Sequence, residues 1–377
     1  GVTFFPEWFD RDDERTARAV WSRITEPGDR VAVRFVERLG AGRALEAVLR
    51  GGAFGAEVAP RWRVRLETTD PRLDLRTLAR FDGRVLVPGD DEWPDGLDDL
   101  DDRRPFCLWV RGPLRVGESC AVAVAVVGSR ASTAYGETMT REIAGGLARR
   151  KVTVVSGAAY GIDAAAHRAA LAEGGPTVAV LACGVDRPYP RGNDRLIARM
   201  VEQAAVVSEV PPASSPSRWR FVERNRLIAA MSRATVVVEA ALRSGAIITA
   251  TQAELLSRAV AAVPGPVVSP ASAGCHWLLR ERNAVCVTDA AELHELVVPV
   301  GQGELLPRVT PRADHDDLSP SDVRVLDAVP VRRAAPSLSV ARAAGLDPGE
   351  VDASLGRLEL LGLVTRDGAS WRRAPRG

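Results

Sequence analysis

Between residues 121 and 298 the sequence repeats one pattern, a short run of consecutive apolar residues followed by a stretch of helical length. The runs fall at 122–127, 152–155, 178–182, 205–207, 236–238 and 260–263. A strand with one wet face alternates apolar and polar side chains, because successive residues point to opposite faces. Strands that are apolar on both faces need cover on both, and a parallel sheet flanked by helices supplies it. The fold class is therefore read as α/β. In such a sheet the loops after the carboxyl ends of the strands share one edge, and ligands sit there. Here those loops are built from small, polar and flexible residues: GSR (128–130), SGAAYGID (156–163), CGVDRPYP (183–190), SEVPP (208–212), EAALRSG (239–245) and PGP (264–266).

The flanks read differently. Residues 1–75 carry Ala17, Val20, Trp21 and Ile24, then Phe35, Val36 and Leu39, at helical spacing, with glycines between. Residues 76–120 read as a connecting segment, rich in Pro and Asp, that ends in a short strand candidate at 106–110. Its acid run Asp98 to Asp102 reads as a solvated face. Residues 299–318 have linker composition. From Ser319 onward a helix starting at Ser321, a second at Val340 to Ala344 closed by Gly345, a third at Glu350 to Leu361 and a hairpin turning at Asp367-Gly368 suggest a winged helix over 319–377. The last helix is expected to expose Glu350, Asp352 and Glu359 against Arg357. That charge suits a protein contact better than a DNA groove.

Bulk properties narrow the function. The net charge is +1, so no global field draws this chain to nucleic acid, and any such binding must use a local patch. Lys151 is the only lysine and the remaining cations are arginines, which suit bidentate phosphate contacts. No apolar run is long enough to span a bilayer and no signal-peptide pattern opens the chain; a cytoplasmic setting is expected. Cys107, Cys120, Cys183, Cys275 and Cys286 show neither paired nor metal-ligand spacing and read as small buried hydrophobes. No cofactor or metal is expected. There is no G-x-x-x-x-G-K-[ST], no G-x-G-x-x-G after a strand, no HExxH and no nucleophile elbow.

Three places carry candidate chemistry. Gly128, Ser129 and Arg130 follow a buried strand and precede a helix, so backbone N–H groups can cradle a phosphate and Arg130 can clamp it. Ser156 and Gly157 open a second such loop. Asp163 reads as the N-cap of the helix after it, and His167 on that helix reads as packed. Arg218, Arg220, Arg224 and Arg226 interleave with Trp219 and Phe221, a pattern that suits single-stranded nucleic acid, where a cation holds phosphate and a ring stacks on a base. The competing reading, with the aromatics in the core and the arginines solvated, stands level with it.

At these residues the chain resembles the DNA-processing protein A family (DprA, also called Smf). The resemblance rests on VVGSR, SGAAYGIDAAAH, GVDRPYPRGN, SEVPP, FVERNRLIAAMS, VVVEAALRSGAIITA, AVPG and VTDA in that order, covering about 121–298. Weaker similarity lies upstream in RVLVPGDDEWP and LWVRGP. Departures from the family pattern are Ala158 for Leu, Val222 for Pro, His276 for Asn, and Arg282-Asn283 for Gly-Ala.

The resemblance implies an extended Rossmann-like domain, with helical and winged-helix appendages, that binds single-stranded DNA without sequence preference. It implies a homodimer that protects incoming DNA and loads the RecA recombinase during natural transformation, and no enzymatic activity. By matching position, Arg130, Phe221, Arg224, Asn225 and Arg226 would line the DNA pocket, while Ser156, Gly157, Ser244, Gly245 and Thr249 would shape its floor. The rival is a nucleotide-binding, phosphoribohydrolase-like enzyme. Such enzymes carry a Gly-Gly-x-Gly-Thr loop where this chain has Ser244-Gly245-Ala246, with Glu254 the nearest acid downstream.

Overall fold

The computed structural model describes residues 5–51, 60–298 and 318–374. The chain forms two compact units, Gly1–Gly303 and Glu304–Gly377; the expected linker at 299–318 lies almost wholly outside the described residues.

The first unit opens with α1 (Glu14–Ile24), α2 (Arg30–Leu39), α3 (Ala41–Arg50), α4 (Pro60–Leu66) and α5 (Pro71–Ala79). Asp13, Asp29 and Asp70 cap α1, α2 and α5 by accepting backbone N–H bonds, which satisfies donors a helix start leaves open. Trp21, Trp62, Phe35 and Phe106 interlock beneath them, with Trp21 and Trp62 edge to face at 5.3 Å.

Next come β1 (Arg84–Leu86), β2 (Leu108–Arg111) and α6 (Val116–Cys120). Strand–helix alternation follows: β3 (Ala123–Val127), α7 (Ala134–Arg149), β4 (Thr153–Ser156), α8 (Ile162–Ala172), β5 (Thr177–Leu181), α9 (Asp194–Gln203), β6 (Ala205–Ser208), α10 (Arg218–Ala230), β7 (Ala234–Val237), α11 (Gly245–Leu255), β8 (Ala259–Ala262), α12 (Ala273–Glu281), β9 (Val285–Cys286) and α13 (Ala290–Val297). The sheet order is β1-β2-β6-β5-β4-β3-β7-β8-β9. Strands β3 to β9 pair in parallel, while β1 and β2 form an antiparallel edge. The α/β expectation holds. Residues 76–120, however, are more than a connection, since they extend the sheet by two strands. Those strands are too short, and too widely split by Pro- and Asp-rich chain, to signal pairing. In the acid run Asp98, Asp99 and Asp101 are exposed as expected, and Asp98, Asp99 and Asp102 also face Arg104, Arg258 and Arg30.

Four of the cysteines are buried and Cys286 is exposed, against expectation. Burial pushes the thiols of Cys107, Cys120 and Cys275 up to about 12, which keeps them protonated and inert.

The second unit runs α14 (Pro320–Ala328), β10 (Ala335–Pro336), α15 (Ser337–Ala344), α16 (Pro348–Leu360), β11 (Val364–Asp367) and β12 (Ser370–Arg373), with strand order β10-β12-β11. Val351, Leu355 and Leu358 pack on Val325, Leu326 and Trp371. Arg357 stays exposed and pairs across to Asp322 of α14 at 2.7 Å. The Arg357 guanidinium holds the Asp322 carboxyl down at about 2. A depressed carboxylate stabilises the fold above its unfolded value, about 3.9, and that contribution is lost as pH falls towards the folded value. Hydrogen exchange in α14 and α16, corrected for intrinsic rates, is expected to accelerate between about pH 4 and pH 2, and Asp322→Asn should remove that pH dependence.

Candidate functional site

Chain order reverses across the sheet between β3 and β7, which are neighbours although three strands separate them in sequence. Connections leave these two strands in opposite directions and open a crevice above their carboxyl ends. A cavity of about 820 Å³ lies there, lined from the β3, β4, β5 and β7 loops and from α10 and α11.

The β3 loop is tightly built. A Cβ on Gly128 would lie 2.6 Å from Ile162 and 2.8 Å from the Glu239 carbonyl, so the close approach needs glycine. Ser129 N–H donates to that carbonyl at 2.7 Å. The buried Glu239 carboxylate accepts from Thr133 N–H at 2.9 Å and from Thr133 Oγ1 at 2.6 Å. It therefore seats an anion of the protein's own at the start of α7. Arg130 emerges from this loop exposed, and its guanidinium carbon lies 5.1 Å from the centre of the Phe221 ring.

The β4 loop forms the underside. Ser156 is wholly buried and donates to the Val126 carbonyl at 2.7 Å, so it serves the sheet and does not line the cavity. Gly157 is also outside the lining, yet a Cβ there would overlap the Arg224 guanidinium. The expected N-cap role of Asp163 is not found. Gly161 occupies the cap, and Asp163 folds back to accept from Gly157 N–H at 3.1 Å while lining the cavity. Burial pushes its carboxyl up, and the Arg224 charge opposes that shift. His167 is buried as expected, with Nδ1 2.8 Å from Thr177 Oγ1, and burial lowers it to about 3, so it is neutral.

Helix α10 resolves the level reading of its arginines and aromatics. Its N-cap is Ser217, and its residues divide by helical period. Arg218, Phe221, Val222, Arg224, Asn225 and Ile228 share the face that lines the cavity. Trp219, Arg220, Glu223 and Arg226 share the other. There Trp219 Nε1 donates to the Pro27 carbonyl at 3.1 Å, Arg220 pairs with Glu26 at 3.0 Å, and Glu223 pairs with Arg103 at 3.0 Å. Arg226 is about 1% exposed and pairs with Glu209 at 2.7 Å, so it does not reach the cavity. Arg224 lines it from below, with Nη1 donating to the carbonyls of Gly157 at 2.8 Å and Val180 at 2.6 Å. Tyr189 completes the wall, its ring centre 5.6 Å from that of Phe221.

At the far wall Ser244 caps α11 by accepting from Ala246 N–H. Nothing lies within 4 Å of a Cβ placed on Gly245, so this helix start is open to the cavity. Thr249 is one turn further on and lines it too.

The fold thus gathers Gly128, Ser129, Arg130, Phe221, Arg224, Asn225, Ser244, Gly245 and Thr249 around one cavity, and leaves Ser156, Gly157 and Arg226 outside its lining. Sequence reading missed Asp163 and Tyr189 as lining residues, and offered Arg218 only as one of four interleaved arginines. Stepping three residues back from Phe221 on a helical wheel finds Arg218; the loop residue Tyr189 has no such signal.

Gly157→Ala is expected to force the Arg224 guanidinium off the Val180 carbonyl. Because Arg224 is buried and has few places to go, the expected cost is about 1–3 kcal/mol. Thermal unfolding of the purified variant measures it.

The model of the family described as DNA recombination-mediator protein A matches residues 84–298. A DNA processing protein DprA of Mycobacterium tuberculosis is 45% identical over 373 residues, spanning 96% of this chain and 95% of that protein. The chain belongs to the DNA processing protein A family. Protein Smf of Escherichia coli is 44% identical over 213 residues, 56% of each chain. Among solved structures, DNA processing protein A of Streptococcus pneumoniae aligns with a TM-score of 0.63 at 30% identity, over 76% of this chain and 98% of its own. The DNA processing protein A of Helicobacter pylori, whose structure was described for its single-stranded DNA binding mode, aligns at 0.51 with 26% identity, over 58% and 96%. The family's shared sheet is the part of this chain that carries the cavity. Among the described residues, no helix is long and apolar enough to cross a membrane.

Proposed function

We propose that this DNA processing protein A relative binds single-stranded DNA in the cavity at the β3/β7 crevice, without reading sequence and without catalysing a reaction. One observation carries the reading: among the described residues no carboxylate pairs with Arg130 or Arg218, while Arg220 and Arg226 on the opposite face of α10 are neutralised. Free cations around a half-buried ring that lines the cavity suit phosphates and a stacked base. Phe221 takes the base, Arg130 and Arg218 take phosphates, and the open start of α11 offers N–H groups. Asn225, Ser244, Gly245 and Thr249 shape the wall, and Arg224 stiffens it from below.

The same geometry weighs against a phosphoribohydrolase. In nucleotide-binding α/β folds the phosphate rests on the first helix start, and here Glu239 already fills that place at α7. The biological role we infer follows the family: protection of incoming DNA and loading of RecA during transformation and recombination, by a cytoplasmic homodimer whose residues 319–377 form a winged helix for protein contact.

The test is anisotropy of labelled single- and double-stranded oligonucleotides from 50 to 200 mM salt, the range in which phosphate contacts are lost. Single strands should be preferred, with affinity falling at a log–log slope of about −0.7 per phosphate held, so at about −1.4 or steeper for Arg130 and Arg218 together. A flat response, or equal affinity for duplex, would refute the clamp. Release of free base from a nucleoside monophosphate would restore the enzyme.

A further inference from the structure

We propose that the bound strand leaves the cavity across Tyr160, which forms a second base-stacking position with Arg191 as its phosphate partner. This rests on the single-strand reading above and adds to it a direction and a subsite.

Tyr160 lies outside the cavity lining but directly follows Ala159, which belongs to it. Its ring is 48% exposed, and an aromatic ring left half in water is open to a base. The platform beneath it is fixed. Gly192 N–H donates to the Tyr160 hydroxyl at 3.3 Å, and a Cβ on Gly192 would lie 2.8 Å from the ring, so only glycine lets the β5 loop rest on it. Buried Asn193 ties the two loops together by donating to the carbonyls of Ala158 at 2.9 Å and Ala159 at 3.2 Å.

The same β5 loop carries Tyr189, which lines the cavity and meets Phe221. From Tyr189 to Gly192 is at most about 10 Å of chain. Phe221, Tyr189 and Tyr160 therefore form a series of rings that begins inside the cavity and ends outside it.

Charge favours this exit over the alternative one. Arg187 and Arg191 on the β5 loop are exposed, and no carboxylate pairs with either among the described residues. Asp186, next to Arg187, is engaged with Ala213 N–H at 2.9 Å. On the other side of the cavity Trp219 is also exposed, beside Arg61 and Arg65. Those arginines are committed, Arg61 to Asp29 at 2.8 Å and Arg65 to Glu26 at 3.1 Å, so a phosphate there would meet carboxylates already in place.

The experiment is a length series of labelled oligothymidylates, from about 4 to about 16 nucleotides, bound to the full chain and to Tyr160→Ala, Tyr160→Phe, Trp219→Ala and Phe221→Ala. Tyr160→Ala should bind the shortest strand like the parent and lose about fivefold or more of the affinity gained with length. Tyr160→Phe should keep that gain, because stacking needs the ring and a merely structural role would need the hydroxyl bond to Gly192. Photo-crosslinking from a 5-bromouracil base should label the peptide that holds Tyr160. If Trp219→Ala removes the gain and Tyr160→Ala does not, the strand takes the other exit and the proposal is overturned. If Phe221→Ala weakens every length while Tyr160→Ala changes none, the subsite falls and the single-strand reading stands. If the parent binds no single strand at any length, both fall together.

Discussion

Arg130→Ala is expected to weaken single-stranded DNA binding by about tenfold, which is the order of one charge-assisted phosphate contact. The slope of log affinity against log salt should flatten by about 0.7, the release expected when one phosphate contact on a single strand is lost. The side chain is exposed, and its contacts are with the Phe221 ring and solvent, so folding should be untouched. The two readouts separate causes. A general loosening of the cavity would lower affinity at every salt concentration with the slope preserved, and that outcome would remove Arg130 from the phosphate path. Phe221→Ala offers the contrast, since loss of a stacked ring should cost about 1–3 kcal/mol with little change in slope.

Arg226→Ala should produce the largest loss of stability, about 3–5 kcal/mol at neutral pH, because it strands the Glu209 carboxylate in the interior. Glu209 is about 8% exposed. Burial pushes its carboxyl up, with Arg226 opposing the shift. A raised carboxylate favours the fold at low pH, and that contribution is lost as pH rises through the folded value. Removing Arg226 raises Glu209 further. The deficit of Arg226→Ala should therefore be greatest near pH 7 and shrink as the acid protonates towards pH 5. Replacing both partners, Arg226→Met with Glu209→Leu, should restore most of the stability, since an apolar pair of similar volume carries no stranded charge. Denaturant unfolding at both pH values checks the three proteins. An Arg226→Ala variant as stable as the parent would mean that water reaches Glu209.

The sheet was legible in the sequence because its strands are apolar on both faces, a pattern few other structures need. Of the edge strands, β2 was anticipated by the strand candidate at 106–110, while β1 was not, since three residues carry no period. In the cavity, Gly128 to Arg130 and Ser244 to Thr249 stood out because strand ends are punctuated by small residues. Arg226 was drawn into the site by its place inside a contiguous motif, although helical geometry turns it to the other side. Ser156 and Gly157 were drawn in by loop composition; one bonds within the sheet and the other makes room for Arg224. Asp163 read as a cap because Asp often caps helices, but Gly161, at a positive φ that glycine adopts freely, took that place.

The division of α10 into two faces has a genetic consequence. One residue of insertion or deletion in the middle of this helix would rotate everything beyond it by about 100°. Arg226 would lose its pairing with Glu209, and the residues that face the cavity beyond the change would turn away from it. Point substitutions can test either face alone, but a frame-preserving indel within 218–228 would break both at once. The spacing of this segment should therefore tolerate drift in its letters far better than drift in its length.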